Sequence, residues 1–102
     1  MEIKLDQKYV MVYVCKHFPM SEERSPEYAL GIAPNDKFIR LGDMVELGSD
    51  NGDTFVGEVL MADDYVDATY ISRYERVSRL KAKPVIAIFK RDEVKWEVDE
   101  NE

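Results

Sequence analysis

The sequence predicts a mainly β protein with a single helix, built as a small, partly open barrel of five to six strands. Apolar residues alternate with a period of two over several short stretches, and an Asn-Gly pair separates two of these stretches. Only one stretch has the period of a helix. With 102 residues, of which 45% are hydrophobic, the chain is long enough for one domain with a buried core.

The first two predicted strands are residues 9–15 and 27–33. In the first, three valines occupy one face, and two tyrosines, a methionine and a cysteine occupy the other. Because both faces are apolar, we expect a central strand that is covered on both sides. The intervening residues 17–26 contain two prolines and a charged run, which predicts a loop.

A hairpin is predicted next, with strands at about 43–48 and 54–61 around Asn51-Gly52, a pair typical of tight hairpin turns. After the helix, the apolar run 85–89 predicts a buried strand. Alternating Val94, Trp96 and Val98 predict a final edge strand. The predicted domain therefore covers residues 1–98, and residues 99–102 form a frayed acidic tail.

The predicted helix covers about residues 64–81 and caps the barrel. Apolar residues spaced by three and four form one helical stripe: Val66, Tyr70, Tyr74, Val77 and Leu80. Asp63 or Asp64 is expected to cap the start, and Asp67 adds negative charge to the first turn. A strand over residues 65–72 is the alternative, because Val, Thr, Tyr and Ile favour strands.

The segment 39–61 resembles the core of small SH3-like barrels, including the KOW motif and the barrel at the start of the primosomal helicase. The shared residues are Gly42-Asp43 before a strand, a hairpin, and Gly57 in the returning strand. The glycines permit a turn and a bend, and the aspartate can accept hydrogen bonds from nearby backbone. The KOW hairpin is basic and contacts nucleic acid, whereas this one is acidic, so the resemblance predicts a fold and no function.

Composition and motifs limit where the protein is expected to be located and which ligands and reactions are expected. No apolar run is long enough for a membrane span, and the N-terminus lacks a signal-peptide core, so a cytoplasmic protein without membrane contact is expected. Cys15 and His17 could share a strand face, but no third ligand is evident, and we predict no metal and no cofactor. No catalytic motif is present, and we expect no enzyme activity.

The charges are unevenly distributed, although the net charge is −7. Residues 20–70 carry twelve acids and three bases, whereas residues 71–91 carry seven bases and one acid. The candidate binding residues are Arg73, Arg76, Arg79, Lys83, Tyr70, Tyr74 and Trp96. The basic members are either a phosphate- or acid-docking patch, or a solvated helix end that pairs with the surplus acids.

These charges predict a non-catalytic protein-interaction module whose acidic surface binds a basic protein partner. The acidic residues expected to face the partner are Glu22, Glu23, Asp50 and Asp53. The chain also resembles phage and mobile-element accessory proteins in size and acidity. The alternative is a small barrel that binds nucleic acid through the basic helix. Trp96 on an exposed edge strand would suit a homodimer interface.

Overall fold

A computed structural model of the protein describes residues 3–18, 24–49 and 51–90. The elements are β1 (Tyr9–Lys16), β2 (Tyr28–Pro34), β3 (Met44–Gly48), β4 (Thr54–Val66), α1 (Ala68–Ser78) and β5 (Ala82–Phe89). The five strands form a closed barrel in the order β1-β2-β5-β3-β4. The predicted mainly β fold with one helix is confirmed, and the barrel is closed where a partly open one was expected.

Strand pairing explains the closure. β2 and β5 run parallel, and the other four neighbouring pairs are antiparallel. β4 is long enough to pair with β3 through its first residues and with β1 through the residues from Gly57 to Val66. One strand therefore belongs to both sides of the barrel, and no edge remains between these five strands.

The two faces of β1 belong to different hydrophobic clusters, as the sequence predicted. Its three valines face the barrel interior, where they pack with Val45, Leu47 and Val59. Tyr9 and Met11 face outward and pack with Ile71 of α1, so the helix covers this end of β1 from outside. Each fully buried apolar side chain of this size contributes about 1.5–3 kcal/mol, which makes β1 the central element of the fold.

The helix begins later than predicted because β4 continues to Val66. Pairing of Tyr9 with Val66 and of Met11 with Asp63 keeps these residues in the strand. The prediction that Asp63 or Asp64 caps the helix is therefore wrong. Asp67 is the N-cap residue, and its carboxylate accepts a hydrogen bond from the Tyr70 amide at 2.8 Å. The strand alternative was correct only for Tyr65 and Val66.

The predicted apolar stripe forms only part of the buried face of the helix, through Tyr74, which packs against the cluster that contains Ile71. Ala68 and Ile71 are buried, whereas Tyr70 is 41% and Val77 is 78% exposed. The polar Glu75 connects the helix to β5, because its carboxylate accepts a hydrogen bond from the Ala82 amide at 2.8 Å. The buried stripe was misplaced because Val66, which belongs to β4, was counted as its first residue.

The Gly-Asp pair before β3 behaves as its chemistry predicts. Gly42 has a φ of 89°, which a glycine adopts without steric cost. Asp43 is fully buried, and its carboxylate accepts a hydrogen bond from the Arg40 amide at 3.0 Å. Lys90 lies 3.2 Å from the same carboxylate, so the end of β5 is held against the start of β3.

Several predicted features lie outside the described residues. They are the final edge strand with Trp96, its homodimer interface, the tail 99–102, and the acidic residues Glu22, Glu23 and Asp50. In the described part of the chain, no helix has the length and apolar character that crossing a membrane requires.

Candidate interaction surfaces around the helix

The predicted binding residues lie at different places around α1. Arg73, Arg76 and Arg79 line two adjoining depressions that share Ser72 and Arg76. We call this surface the basic groove, and define it by Thr69, Ser72, Arg73, Arg76, Arg79 and Lys81. Lys83 lies in β5, opposite Gly31, and is not part of the groove.

The cations of the basic groove form no ion pair within the described residues. The ion pairs found among the described residues involve other cations, namely Lys8, Lys16, Arg24 and Lys90. Glu75 also lines one of the two depressions, and its carboxylate accepts a hydrogen bond from the Ala82 amide. Pairing with the acids of the described residues, which was part of one of the two interpretations of the sequence, therefore does not account for these four cations.

Tyr70 and Tyr74 belong to a row of tyrosines outside the groove. Their rings stack with centroids 6.4 Å apart, and Tyr13 stacks on Tyr28 with centroids 5.4 Å apart. Burial, followed by the neighbouring Tyr28 and Tyr74, raises the pKa of Tyr13. Tyr74 therefore packs against the outer surface of β1 and β2, and Tyr70 lies toward β4. Neither tyrosine lines the basic groove with the arginines.

A second surface lies where β4 meets α1. We call it the acidic tyrosine surface, and define it by Asp63, Asp64, Tyr65, Asp67 and Tyr70. Tyr65 is 71% exposed and has a φ of 58°, which is uncommon for a residue with a side chain. The Tyr65 amide donates a hydrogen bond to the Asn35 side chain at 3.0 Å, which holds this backbone in place.

The carboxylates of this surface have different partners. The Tyr70 hydroxyl donates a hydrogen bond to Asp63 at 3.0 Å, and this bond raises the pKa of Tyr70. Asp67 caps the helix and lies 4.0 Å from the Lys8 ammonium. The helix N-terminus thus explains Asp67 but not the two carboxylates of β4.

Sequence reasoning did not identify Tyr65 as a surface residue. Its only signal was an aromatic residue directly after two aspartates, which also fits an amphipathic helix. The left-handed backbone depends on Asn35, which lies 30 residues earlier, and local patterns do not reveal such a contact.

The remaining candidates, Cys15, His17 and Asp53, line neither of these surfaces. The Cys15 thiol lies 3.8 Å from the Lys16 carbonyl, and the His17 amide donates to the Val56 carbonyl at 2.8 Å. Among the described residues, no group of three or more His, Cys, Asp or Glu side chains is placed to hold a metal ion. Asp53 is exposed beside the hairpin turn, where its carbonyl accepts hydrogen bonds from Ser49.

Comparisons with protein-family models, curated proteins and solved structures gave no match. The resemblance to small SH3-like barrels therefore stays a prediction. The class defined by the fold is a closed five-stranded β barrel with one helix on its outer face.

Proposed function

We propose that this chain is a non-catalytic cytoplasmic interaction module whose acidic surface binds a basic protein partner. The observation that carries the proposal is the acidic tyrosine surface, where an exposed ring lies in one depression with three carboxylates. Small size and a net charge of −7 support the further proposal of a phage or mobile-element accessory protein.

Tyrosine rings and carboxylates together are suited to arginine and lysine side chains. A cation is attracted to the face of an aromatic ring, and a carboxylate adds a charge-assisted hydrogen bond. Within the chain, an arginine also contacts both an aromatic ring, here a phenylalanine, and a carboxylate. The Arg24 guanidinium lies 4.1 Å from the Phe18 ring centroid, and it also pairs with Glu27 at 3.2 Å.

The rings are expected to contribute more than any single carboxylate. An exposed ion pair is worth about 0–1 kcal/mol because water screens it. Tyrosine buries a large rigid surface at low entropic cost and is enriched in protein interfaces. Tyr65 is the most exposed aromatic ring of this surface, and we expect it to be the main contact.

A labelled arginine-rich peptide tests this proposal by fluorescence anisotropy at low salt. Tyr65→Ala and Asp64→Asn should each weaken binding at least threefold, whereas Glu58→Gln should not. Glu58 is an exposed β4 residue outside this surface, and its variant has the same net charge as Asp64→Asn. Equal effects of the two charge variants, with no effect of Tyr65→Ala, would show only general attraction and would refute the proposal.

Asp53 is the member of the predicted acidic set that lies within the described residues, so its effect on binding can be compared with that of the acidic tyrosine surface. It precedes β4, whereas Asp63 and Asp64 lie near the other end of that strand. If the partner binds through the predicted set, which includes Glu22, Glu23 and Asp50, then Asp53→Asn should weaken peptide binding more than Asp64→Asn. We expect the opposite order.

A further inference from the structure

We propose that the basic groove binds the phosphate backbone of single-stranded nucleic acid without reading its bases. This inference concerns the other side of the helix and does not depend on the proposed protein partner. It starts from four cationic side chains that have no acidic partner within the described residues.

The groove offers a continuous series of donors along the helix. Arg73, Arg76 and Arg79 follow one another at intervals of three residues, a helical rise of about 4.5 Å per step. Guanidinium groups bind phosphate oxygens through two parallel hydrogen bonds. The hydroxyls of Thr69 and Ser72 add neutral donors of the kind that contact phosphates in nucleic-acid complexes.

The helix macrodipole explains only part of this arrangement. Cations are stabilised near the last turn, which accounts for Arg76 and for Arg79 directly after it. The effect does not extend back to Arg73, which lies in the middle of the helix. Arg79 also adopts a φ of 64° at a position where glycine is usual. The requirements of the helix end alone would therefore favour glycine over arginine there.

The position of the tyrosines determines which contacts are available. Tyr70 and Tyr74 stack on each other outside the groove, so no aromatic ring among the described residues is placed for bases above the arginines to stack on. Contacts are then limited to phosphates and should be independent of sequence. The net charge of −7 would repel a rigid duplex more than a flexible strand with a lower charge density.

A labelled oligothymidylate, followed by fluorescence anisotropy over a series of salt concentrations, tests the inference. Four phosphate contacts on a single strand predict a slope of log affinity against log salt of about −3. Affinity should then fall about 50-fold between 50 and 200 mM salt. Arg73→Ala and Arg76→Ala should each reduce the steepness by about 0.7.

Lys37→Ala is the matched control, because it removes one exposed positive charge outside the groove. Its slope should equal that of the unchanged chain. Absence of binding at low salt, or equal slopes for Arg76→Ala and Lys37→Ala, would overturn the inference. Tighter binding of a duplex of the same length would also overturn it.

Two further measurements distinguish a nucleic-acid ligand of the groove from an acidic protein ligand. Polyglutamate that competes as well as oligothymidylate, at equal charge concentration, would indicate an acidic protein ligand and refute the nucleic-acid proposal. Tyr65→Ala should leave oligothymidylate binding unchanged, and Arg76→Ala should leave binding of the arginine-rich peptide undiminished. The two proposals can therefore fail separately.

Discussion

Asp43 shows how one buried carboxylate can organise a turn. It accepts a hydrogen bond from the Arg40 amide and pairs with Lys90, while its own carbonyl accepts from the Val59 amide at 2.9 Å. Asp43→Ala removes the side-chain acceptor of the Arg40 amide and the ion-pair partner of Lys90, whose ammonium keeps the Phe38 carbonyl as an acceptor. It should lower the free energy of unfolding by about 1–3 kcal/mol. Asp43→Asn should cost less, because the amide oxygen can still accept from Arg40.

Urea denaturation of both variants, with Asp53→Ala as the exposed control, measures this difference. Asp53 is exposed and should change stability by less than about 0.5 kcal/mol. If Asp43→Ala costs no more than Asp53→Ala, then Asp43 has no structural role in this turn.

Gly57 lies where the backbones of β1 and β4 approach closely. A Cβ atom there would lie 2.9 Å from the Cys15 carbonyl oxygen and 3.0 Å from a Val14 methyl group. Gly57→Ala should therefore destabilise the protein by about 1–3 kcal/mol through overpacking. Gly48→Ala is the control, because its nearest neighbours lie at ordinary contact distances of 3.6 and 3.7 Å. Equal unfolding midpoints in urea would contradict the predicted steric conflict.

At the scale of one element, α1 depends on its two ends. Asp67→Ala removes the side-chain acceptor for the Tyr70 amide and should cost about 1 kcal/mol of stability. Asp64→Ala should cost little, because Asp64 belongs to β4 and does not cap the helix. Thermal unfolding followed by circular dichroism compares the two. A larger loss for Asp64→Ala would place the helix start where the sequence alone predicted it.

The other end of α1 couples stability to the proposed nucleic-acid binding of the basic groove. Arg79→Gly removes the steric cost of the left-handed backbone and should stabilise the protein by up to about 1 kcal/mol. The same change removes a cation from the basic groove and should weaken oligothymidylate binding. Opposite changes in thermal midpoint and affinity are the expected result. If the thermal midpoint and the affinity both fall, the Arg79 side chain stabilises the fold.

For the whole molecule, two tyrosines contribute to the dependence of stability on alkaline pH. The pKa values of Tyr13 and Tyr70 are raised above the ordinary 10.0, the first mainly by burial and the second mainly by its hydrogen bond to Asp63. The neutral ring is favoured in the folded state, so this stabilisation is complete below about pH 10 and is lost as pH rises through the folded-state values.

Absorbance of the tyrosinate form, measured during titration, tests this assignment. Asp63→Asn removes the negative charge beside Tyr70 and should lower the pKa of Tyr70 toward its ordinary value. Asp64→Asn is the charge-matched control and should leave that pKa unchanged. An unchanged titration in Asp63→Asn would mean that the hydrogen bond does not control Tyr70.

The sequence identified elements whose pattern is local and missed those determined by pairing. The alternating valines and tyrosines of β1 were sufficient to predict a strand covered on both faces. The polar residues Asp63 and Asp64 gave no strand signal, because their conformation is imposed by pairing of β4 with β1. The basic groove was partly visible as a set of arginines, but its separation from the tyrosines depends on contacts of Tyr74 and Tyr70 with other elements, which local patterns do not reveal.

The parallel pairing of β2 with β5 has a consequence for how the chain reaches its native state. Leu30 pairs with Ala82, about fifty residues later, so the barrel cannot close until nearly all of the described chain has been synthesised. Until then, the β1–β2 hairpin would leave its valines in water while the rest of the chain emerges from the ribosome. Folding should be slow compared with helical proteins of this size, since such distant contacts must form first. Chaperone dependence of newly made protein is therefore expected to exceed that of refolded protein.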